Sequence, residues 1–228
     1  MYHFDQTLVH LSKCTLQTER KQDMRSRKGL VISLSVIAVM WILHTTSKNF
    51  MVDPTFSTFL SNKEIELPNA KLWIVMIQLH IALAIIALMT GPLGLSRALR
   101  MKNPHLHRWN GRIYVMVIVF NILPGYYVAL YANGGIWSTI GFFILNTLWL
   151  HTTINGYRFI RKGQVHRHRS WMLRSFFLTF ANLTIYILVT ILHYVAGLPY
   201  GFSYSLGVWL AFIINLVLAE IVIRKSTI

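Results

Sequence analysis

The sequence predicts an all-α integral membrane protein with six transmembrane helices: a four-helix core made of two parallel-repeat hairpins, plus two flanking helices. Three observations predict it. Hydrophobic residues make up 54% of the chain and charged residues 13%, and the apolar runs are far longer than a soluble core of this length needs. Lys and Arg collect at the ends of those runs, as they do where a bilayer sorts charge. The pattern R-x2-R-x4-H-x-H-R also occurs twice. Arg97, Arg100, His105, His107 and Arg108 are spaced as Arg158, Arg161, His166, His168 and Arg169 are, sixty-one positions later.

Each element follows from local signals. Residues 1–28 form a polar, basic arm holding the single cysteine, Cys14; no small-residue cleavage site follows Leu30 to Leu43, so the arm reads as cytoplasmic rather than as a signal peptide. A single membrane domain is expected over 29–228. Its first span covers about 29–46 and is followed by a polar loop with Asp53, Pro54, Lys63, Glu64, Glu66 and Pro68. The second, about 71–95, begins beside Trp73, carries His80 and passes Gly91-Pro92, a pair expected to loosen its inner end. The third, about 109–131, contains Pro124-Gly125, where the missing backbone donor predicts a kink. Asn133-Gly134-Gly135 turns the chain into the fourth span, about 136–157, with Trp149 and His151. The fifth, about 171–194, leads through Gly197 to Gly201 into the sixth, about 204–223. Trp73, Trp109, Trp137, Trp171 and Tyr200 fall where interfacial aromatic belts belong.

Orientation follows from the basic residues. Nineteen of the 22 Lys and Arg lie in the arm, the two elbows between spans two and three and between spans four and five, and the tail; only Lys48, Lys63 and Lys71 lie on the other side. The positive-inside rule therefore places both termini and both elbows in the cytoplasm, in a plasma membrane. The net charge of +15 reflects this sorting and not nucleic-acid binding, since no basic, aromatic-studded surface lies outside the spans. If each elbow hairpin is one repeat, the two are related by an axis along the membrane normal, with a shared site at their interface.

Ionisable groups within spans mark candidate chemistry. His80 sits between Leu79 and Ile81 with Gln78 as the nearest polar side chain, so burial there requires a partner from another helix. It suits a haem ligand, a donor to a quinone carbonyl or a proton step; a packing hydrogen bond is the plain alternative. His151 admits the same roles. At a rise of about 1.5 Å per residue the two lie about 10 Å apart in depth, too far for one flat macrocycle to take both axially. His107 and His168 complete the candidate cofactor-binding set, although the elbows hold no thiolate or carboxylate and their arginines repel cations, so no metal site is expected. The plain alternative there is a solvated basic surface. Arg108, Arg112, Arg169 and Arg174, near helix N-termini, form a candidate anion-binding set for lipid headgroup phosphates. Glu220 reaches Arg224 at i+4 as a surface pair.

His80, Gly91-Pro92, His107-Arg108, Gly111-Arg112 and Tyr114, followed by His168-Arg169, Trp171-Met172 and Arg174-Ser175, resemble a bacterial family of predicted multi-pass membrane proteins of unknown function, the domain numbered twenty-three zero six. The likeness covers about residues 71–195. It implies that His80, His107, Arg112, His168, Trp171 and Arg174 matter more than His105, His151 or His193. Members often carry an arginine where this chain has Ile185. The helical plan is also similar to the two-haem bundles of cytochrome b561 and ferric reductases, at the level of fold alone.

These readings converge on a membrane redox protein binding b-type haem or a quinone within its four-helix core, with the bilayer and anionic phospholipid headgroups as partners. The reading from another class is a non-enzymatic membrane protein acting in assembly, lipid binding or small-solute transport, with a membrane-protein partner or a second copy of itself.

Overall fold

The computed structural model describes residues 29–61 and 67–227; the basic arm with Cys14, and loop residues Lys63, Glu64 and Glu66, lie outside them. The described residues are helical, without a strand. They form α1 (Gly29–Val52), the short α2 (Ser57–Ser61), α3 (Ala70–Leu95), the short α4 (Arg97–Lys102), α5 (Pro104–Ala129), α6 (Gly135–Arg161), α7 (Val165–Thr179), α8 (Ala181–Val189) and α9 (Tyr200–Thr227). A π-helical turn, Thr190–Val195, extends α8, and α7 with α8 makes one apolar rod, Val165–Val195. Helices α3 and α5 form one antiparallel hairpin and α6 and α7 another; α9 packs on α6, α7 and α8. The end holding both elbows is here called the elbow end, the opposite one the far end.

Five of these helices are long and apolar enough to cross a membrane: Gly29–Val52, Ala70–Leu95, Pro104–Ala129, Val165–Val195 and Tyr200–Lys225. The expected fourth span corresponds to α6, which at 27 residues is long enough but too polar to join them. Its Ser138, Asn146, Thr152 and Thr153 are buried. The polarity that lowers its hydropathy faces neighbouring helices, as interhelical polar groups do in membrane bundles.

The elbows differ from the sequence expectation. The third and fifth spans were expected to begin near Trp109 and Trp171, with the histidines in connecting loops; instead α5 starts at Pro104 and α7 at Val165, so both H-x-H pairs stand in first helical turns. Asn103 explains the first start. Its side chain accepts from the Leu106 amide at 2.9 Å, and Pro104 follows at the helix start, where a missing N–H costs nothing. The preceding arginines sit differently in the two copies. Ser96 breaks α3 and caps α4, whereas α6 runs unbroken through Arg158 to Arg161 and turns at Gly163, whose φ of 72° suits a residue without Cβ.

Other expectations shift for stated reasons. The Gly91-Pro92 pair does not end α3, which continues to Leu95; a Cβ on Gly91 would lie 2.1 Å from the Phe176 ring, so this glycine admits α7 closely. Helix α5 likewise runs through Pro124 to Ala129. Trp73 leaves the aromatic belt: the loop after α1 folds back, and Phe56 meets it edge-on at 5.9 Å, burying it with Ile81. Glu220 pairs across the bundle, accepting from Arg174 Nε, with Arg224 kept within electrostatic range. The main apolar core joins residues of α1, α3 and α5 through α9, among them Leu34, Leu88, Ile118, Leu145, Phe176, Ile185 and Val208.

Candidate functional site

Two polar clusters lie between the core helices, one in each half of the bundle. In the elbow half, the Tyr114 and Ser175 hydroxyls share a hydrogen bond at 2.9 Å, and Tyr114 meets Thr179 at 3.2 Å. Ser175 also bonds Thr153 at 2.7 Å, while Thr153 and Thr179 donate to the Trp149 and Ser175 carbonyls of their own helices. The Trp149 indole lies against the Tyr114 hydroxyl. All five side chains are buried. The four hydroxyls of this cluster are all hydrogen-bonded, while Trp149 Nε1 has no hydrogen-bond partner among the described residues; within low-dielectric surroundings the hydroxyl network holds helices α5, α6 and α7 together.

The second cluster surrounds His80. Gly125 of α5 faces it so closely that a Cβ there would lie 3.2 Å from both His80 Nδ1 and Asn146 Oδ1. Asn121, one turn earlier on α5 and wholly buried, lies against the His80 ring through its backbone and its side chain. Yet His80 Nδ1 and both amide atoms of Asn121 are buried without a hydrogen-bond partner of good geometry among the described residues. Gln78 does not help, because its amide donates to the Pro54 carbonyl at 3.0 Å. Depth agrees across the three helices: counted at about 1.5 Å per residue from their far ends, His80, Asn121 and Asn146 all lie about 12 to 17 Å in. Three helices thus bring polar side chains to one level and leave hydrogen-bonding capacity open, which is costly in an apolar interior.

A bis-histidine haem would need a second imidazole at this level. His151 does not supply it: it lies five residues nearer the elbow end than Asn146 and is exposed, accepting or donating at 2.9 Å with Asn155 and meeting the Trp171 ring at 5.5 Å. The residues around His80 therefore do not fit a bis-histidine haem. They fit a ligand that exchanges hydrogen bonds with an imidazole and a carboxamide.

The remaining predicted residues gather at the elbow end. His107 and His168 are half-buried and within electrostatic range of each other, and Arg100 acts on both. His168 Nδ1–H donates to the Gly156 carbonyl at 2.8 Å; its counterpart His107 Nδ1 has no hydrogen-bond partner among the described residues. The four arginines of the anion-binding set do not converge on one point. Arg174 is held by Glu220 and lies 4.8 Å over the Trp171 ring, Arg112 lies 5.4 Å from the Trp109 ring, Arg108 is exposed and Arg169 half-buried. His105 accepts from Trp109 Nε1 at 3.2 Å, and His166 is exposed. Among the described residues no three His, Cys, Asp or Glu side chains gather as a metal set would require.

Asn121 and Asn146 stand at the level of His80 and are the residues the sequence hides. The two asparagines carried a signal, each a carboxamide inside an apolar run (VFNIL and ILNTL), and a polar group at membrane depth is a functional candidate.

No curated protein and no solved structure matches the chain. Residues 77–223, most of the helical bundle including both polar clusters and both elbows, match the sequence profile of one family. The chain thus belongs to the family described as predicted membrane protein (DUF2306).

Proposed function

We propose that this protein binds a carbonyl-bearing ring of the quinone class at the level of His80, inside a six-span bundle whose elbows face the cytoplasm. One observation carries the reading: His80 Nδ1 and both Asn121 amide atoms lie side by side at one depth, buried and without a hydrogen-bond partner of good geometry among the described residues, with Gly125 leaving them room to approach. A ligand arriving from the hydrocarbon phase must be mostly apolar with one or two hydrogen-bonding groups. A quinone meets that demand. Its carbonyl accepts from imidazole N–H or carboxamide NH2, and the quinol hydroxyl donates to the Asn121 or Asn146 oxygen.

The six-span topology is part of the same proposal. The counted positive charge supports cytoplasmic elbows and termini. Symmetry supports the two-repeat plan: α5 and α7 start at equivalent positions, and Tyr114 and Ser175, sixty-one residues apart, meet each other directly. The contact of Asn110 with the Thr90 carbonyl recurs at the equivalent positions as the ring contact of Trp171 with His151. A shared site near such an axis is where repeat-built membrane proteins place ligands.

The test is direct. Protein purified in mild detergent is extracted for co-purifying quinone and titrated with a short-chain benzoquinone, with binding followed by equilibrium dialysis. His80→Ala and Asn121→Leu are expected to abolish saturable binding while Arg161→Gln preserves it. Absent co-purifying quinone together with absent saturable binding would overturn the proposal. A reduced-minus-oxidised spectrum showing a Soret band after haem supply would favour haem instead.

A further inference from the structure

The outward faces of the helices are not alike. In the middle of α3, α5 and α9 the exposed side chains are apolar, as at Leu79 and Met89, at Met116 and Leu123, and at Ile213 and Val217, which suits hydrocarbon. Helix α6 differs. Its outward face carries Ile140, Ile144, Thr147, His151, Ile154 and Arg158, of which Ile144 and Ile154 are half-buried and the others exposed. Counted at about 1.5 Å per residue, His151 lies about 15 Å from Arg161 at the elbow end, near the middle of a helix 27 residues long. An imidazole exposed at that level of a bilayer is costly, and ionisable groups within spans almost always face a protein neighbour or water.

Spacing and hydrogen bonding point to another helix as its cover. The six positions follow one another at intervals of 4, 3, 4, 3 and 4, the repeat that lets one helix seat its side chains against a second along a left-handed seam. Tyr126 of α5 flanks the seam with its hydroxyl 2.7 Å from Thr147 Oγ1, and the Trp171 ring of α7 flanks it 5.5 Å from the His151 ring, yet His151 stays exposed. Asn155, one turn beyond, donates its amide N–H to His151 Nε2 at 2.9 Å. The neutral imidazole then carries its proton on Nδ1. Among the described residues neither that N–H nor the Asn155 carboxamide oxygen has a further hydrogen bond. One free donor and one free acceptor on a single face are self-complementary: each copy of a two-fold pair accepts what the other offers.

We propose that the outward face of α6 is the seam of a parallel homodimer, in which His151 Nδ1–H of each copy donates to the Asn155 oxygen of the other. The two-fold axis runs along the membrane normal, so the two α6 helices meet at equal depth. Thr147 and the isoleucines pack in the layers on either side, and a polar residue at one position of such a seam fixes its register. Arg158, about 4.5 Å from the elbow end of the helix, keeps its guanidinium in water. A partner of another kind has no reason to carry the matching donor and acceptor; a second copy carries them by identity. The inference rests on the six-span reading, because α6 must cross the membrane for its polar face to need cover, and it is independent of the His80 level.

The experiment uses the full chain in lipid vesicles, with Cys14→Ser as the background for added cysteines. Impermeant thiol labelling of Ile136→Cys and Lys162→Cys is expected from opposite sides of the membrane; labelling of both from one side would overturn the six-span reading and the seam with it. Under mild oxidation Ile154→Cys should form an intermolecular disulfide, since facing seam positions reach the Cβ separation of about 4 Å that the bond needs. Met116→Cys on α5 and Ile213→Cys on α9 should not. Dimer dissociation is followed by energy transfer between labelled copies as the lipid-to-protein ratio rises. His151→Leu and Asn155→Leu should each raise the dissociation constant roughly tenfold, the scale of two lost interhelical hydrogen bonds. The double variant should raise it no further, because all three remove the same bonds. Leu123→Ala, on the outward face of α5, should change it by less than about twofold. If His151→Leu does not fold, Asn155→Leu and the cysteine series still decide. Given labelling from opposite sides, three results would each overturn the seam alone: a chain monomeric at every ratio, crosslinking at Met116→Cys or Ile213→Cys in place of Ile154→Cys, or crosslinking of Ile154→Cys to a different protein.

Discussion

The cluster around Tyr114 and the cluster around His80 occupy the same bundle, involve the same helices α5 and α6, and bury comparable polar side chains, yet they end in opposite states. Around Tyr114, the four hydroxyls donate and accept in turn, helped by carbonyls that Thr153 and Thr179 reach within their own helices, and of that cluster the Trp149 indole N–H alone is left without a partner among the described residues. Around His80, an imidazole and a carboxamide lie side by side without good geometry between them. The chemistry of the side chains explains part of this. Hydroxyls rotate to suit either role, whereas a carboxamide fixes donor and acceptor on opposite arms and an imidazole fixes its nitrogens in a plane. A polar group at membrane depth thus fastens helices when its neighbours can satisfy it and keeps hydrogen-bonding capacity open when they cannot, which is what the proposed quinone would use.

The contrast can be broken most severely at Ser175→Leu. That substitution forces a branched side chain into a fully buried position and strands the Tyr114 and Thr153 hydroxyls, so a loss of roughly 3 kcal/mol is expected in SDS-driven unfolding. An unchanged unfolding curve would show that the network fastens nothing. Gly125→Val should come next. Its Cβ would sit 3.2 Å from His80 and Asn146 before its methyl groups are counted, which predicts about 2 kcal/mol of destabilisation together with lost quinone binding; retained binding would move the ligand away from this level.

Smaller effects separate the two clusters more finely. Tyr114→Phe removes one hydroxyl from a network that can partly re-pair, for an expected cost of about 0.6 kcal/mol, the mean for interhelical hydrogen bonds in membranes. Quinone affinity should stay at the parent value, and a parallel loss of affinity would merge the clusters into one site. The smallest change in stability is expected from Asn121→Leu, within about 0.5 kcal/mol of the parent or slightly stabilising, because an unpartnered amide is replaced by an apolar side chain of similar size. Equilibrium unfolding of the ligand-free protein measures it. A loss comparable to that from Ser175→Leu would show that Asn121 is already satisfied and would weaken the case for a ligand.

Much of this was readable from single residues. The elbows, His80 and the turn at Gly134 followed from charge, isolated polarity and glycine, and the structure shows Gly134 at φ 79° with the Gly201 carbonyl 2.4 Å from where its Cβ would stand. The partners of His80 were not readable, since nothing in a linear chain says which asparagine of α5 or α6 stands at its depth and on its side. Glu220 shows the same gap: a local rule pointed to Arg224 four residues on, and a helix from a distant part of the chain supplied Arg174. Helix starts were missed because basic and imidazole side chains lower hydropathy without preventing a helix, and the cap at Asn103 acts regardless of them.

The sequence by itself determined that this is a helical membrane protein with two equivalent basic elbows, because apolar length and charge sorting are properties of segments and need no neighbours. Tertiary structure alone decided which buried polar groups are satisfied and which are left open. That depends on depth, rotation and distance between helices far apart in the chain, and small residues such as Gly91 and Gly125 set those distances by letting one helix approach another.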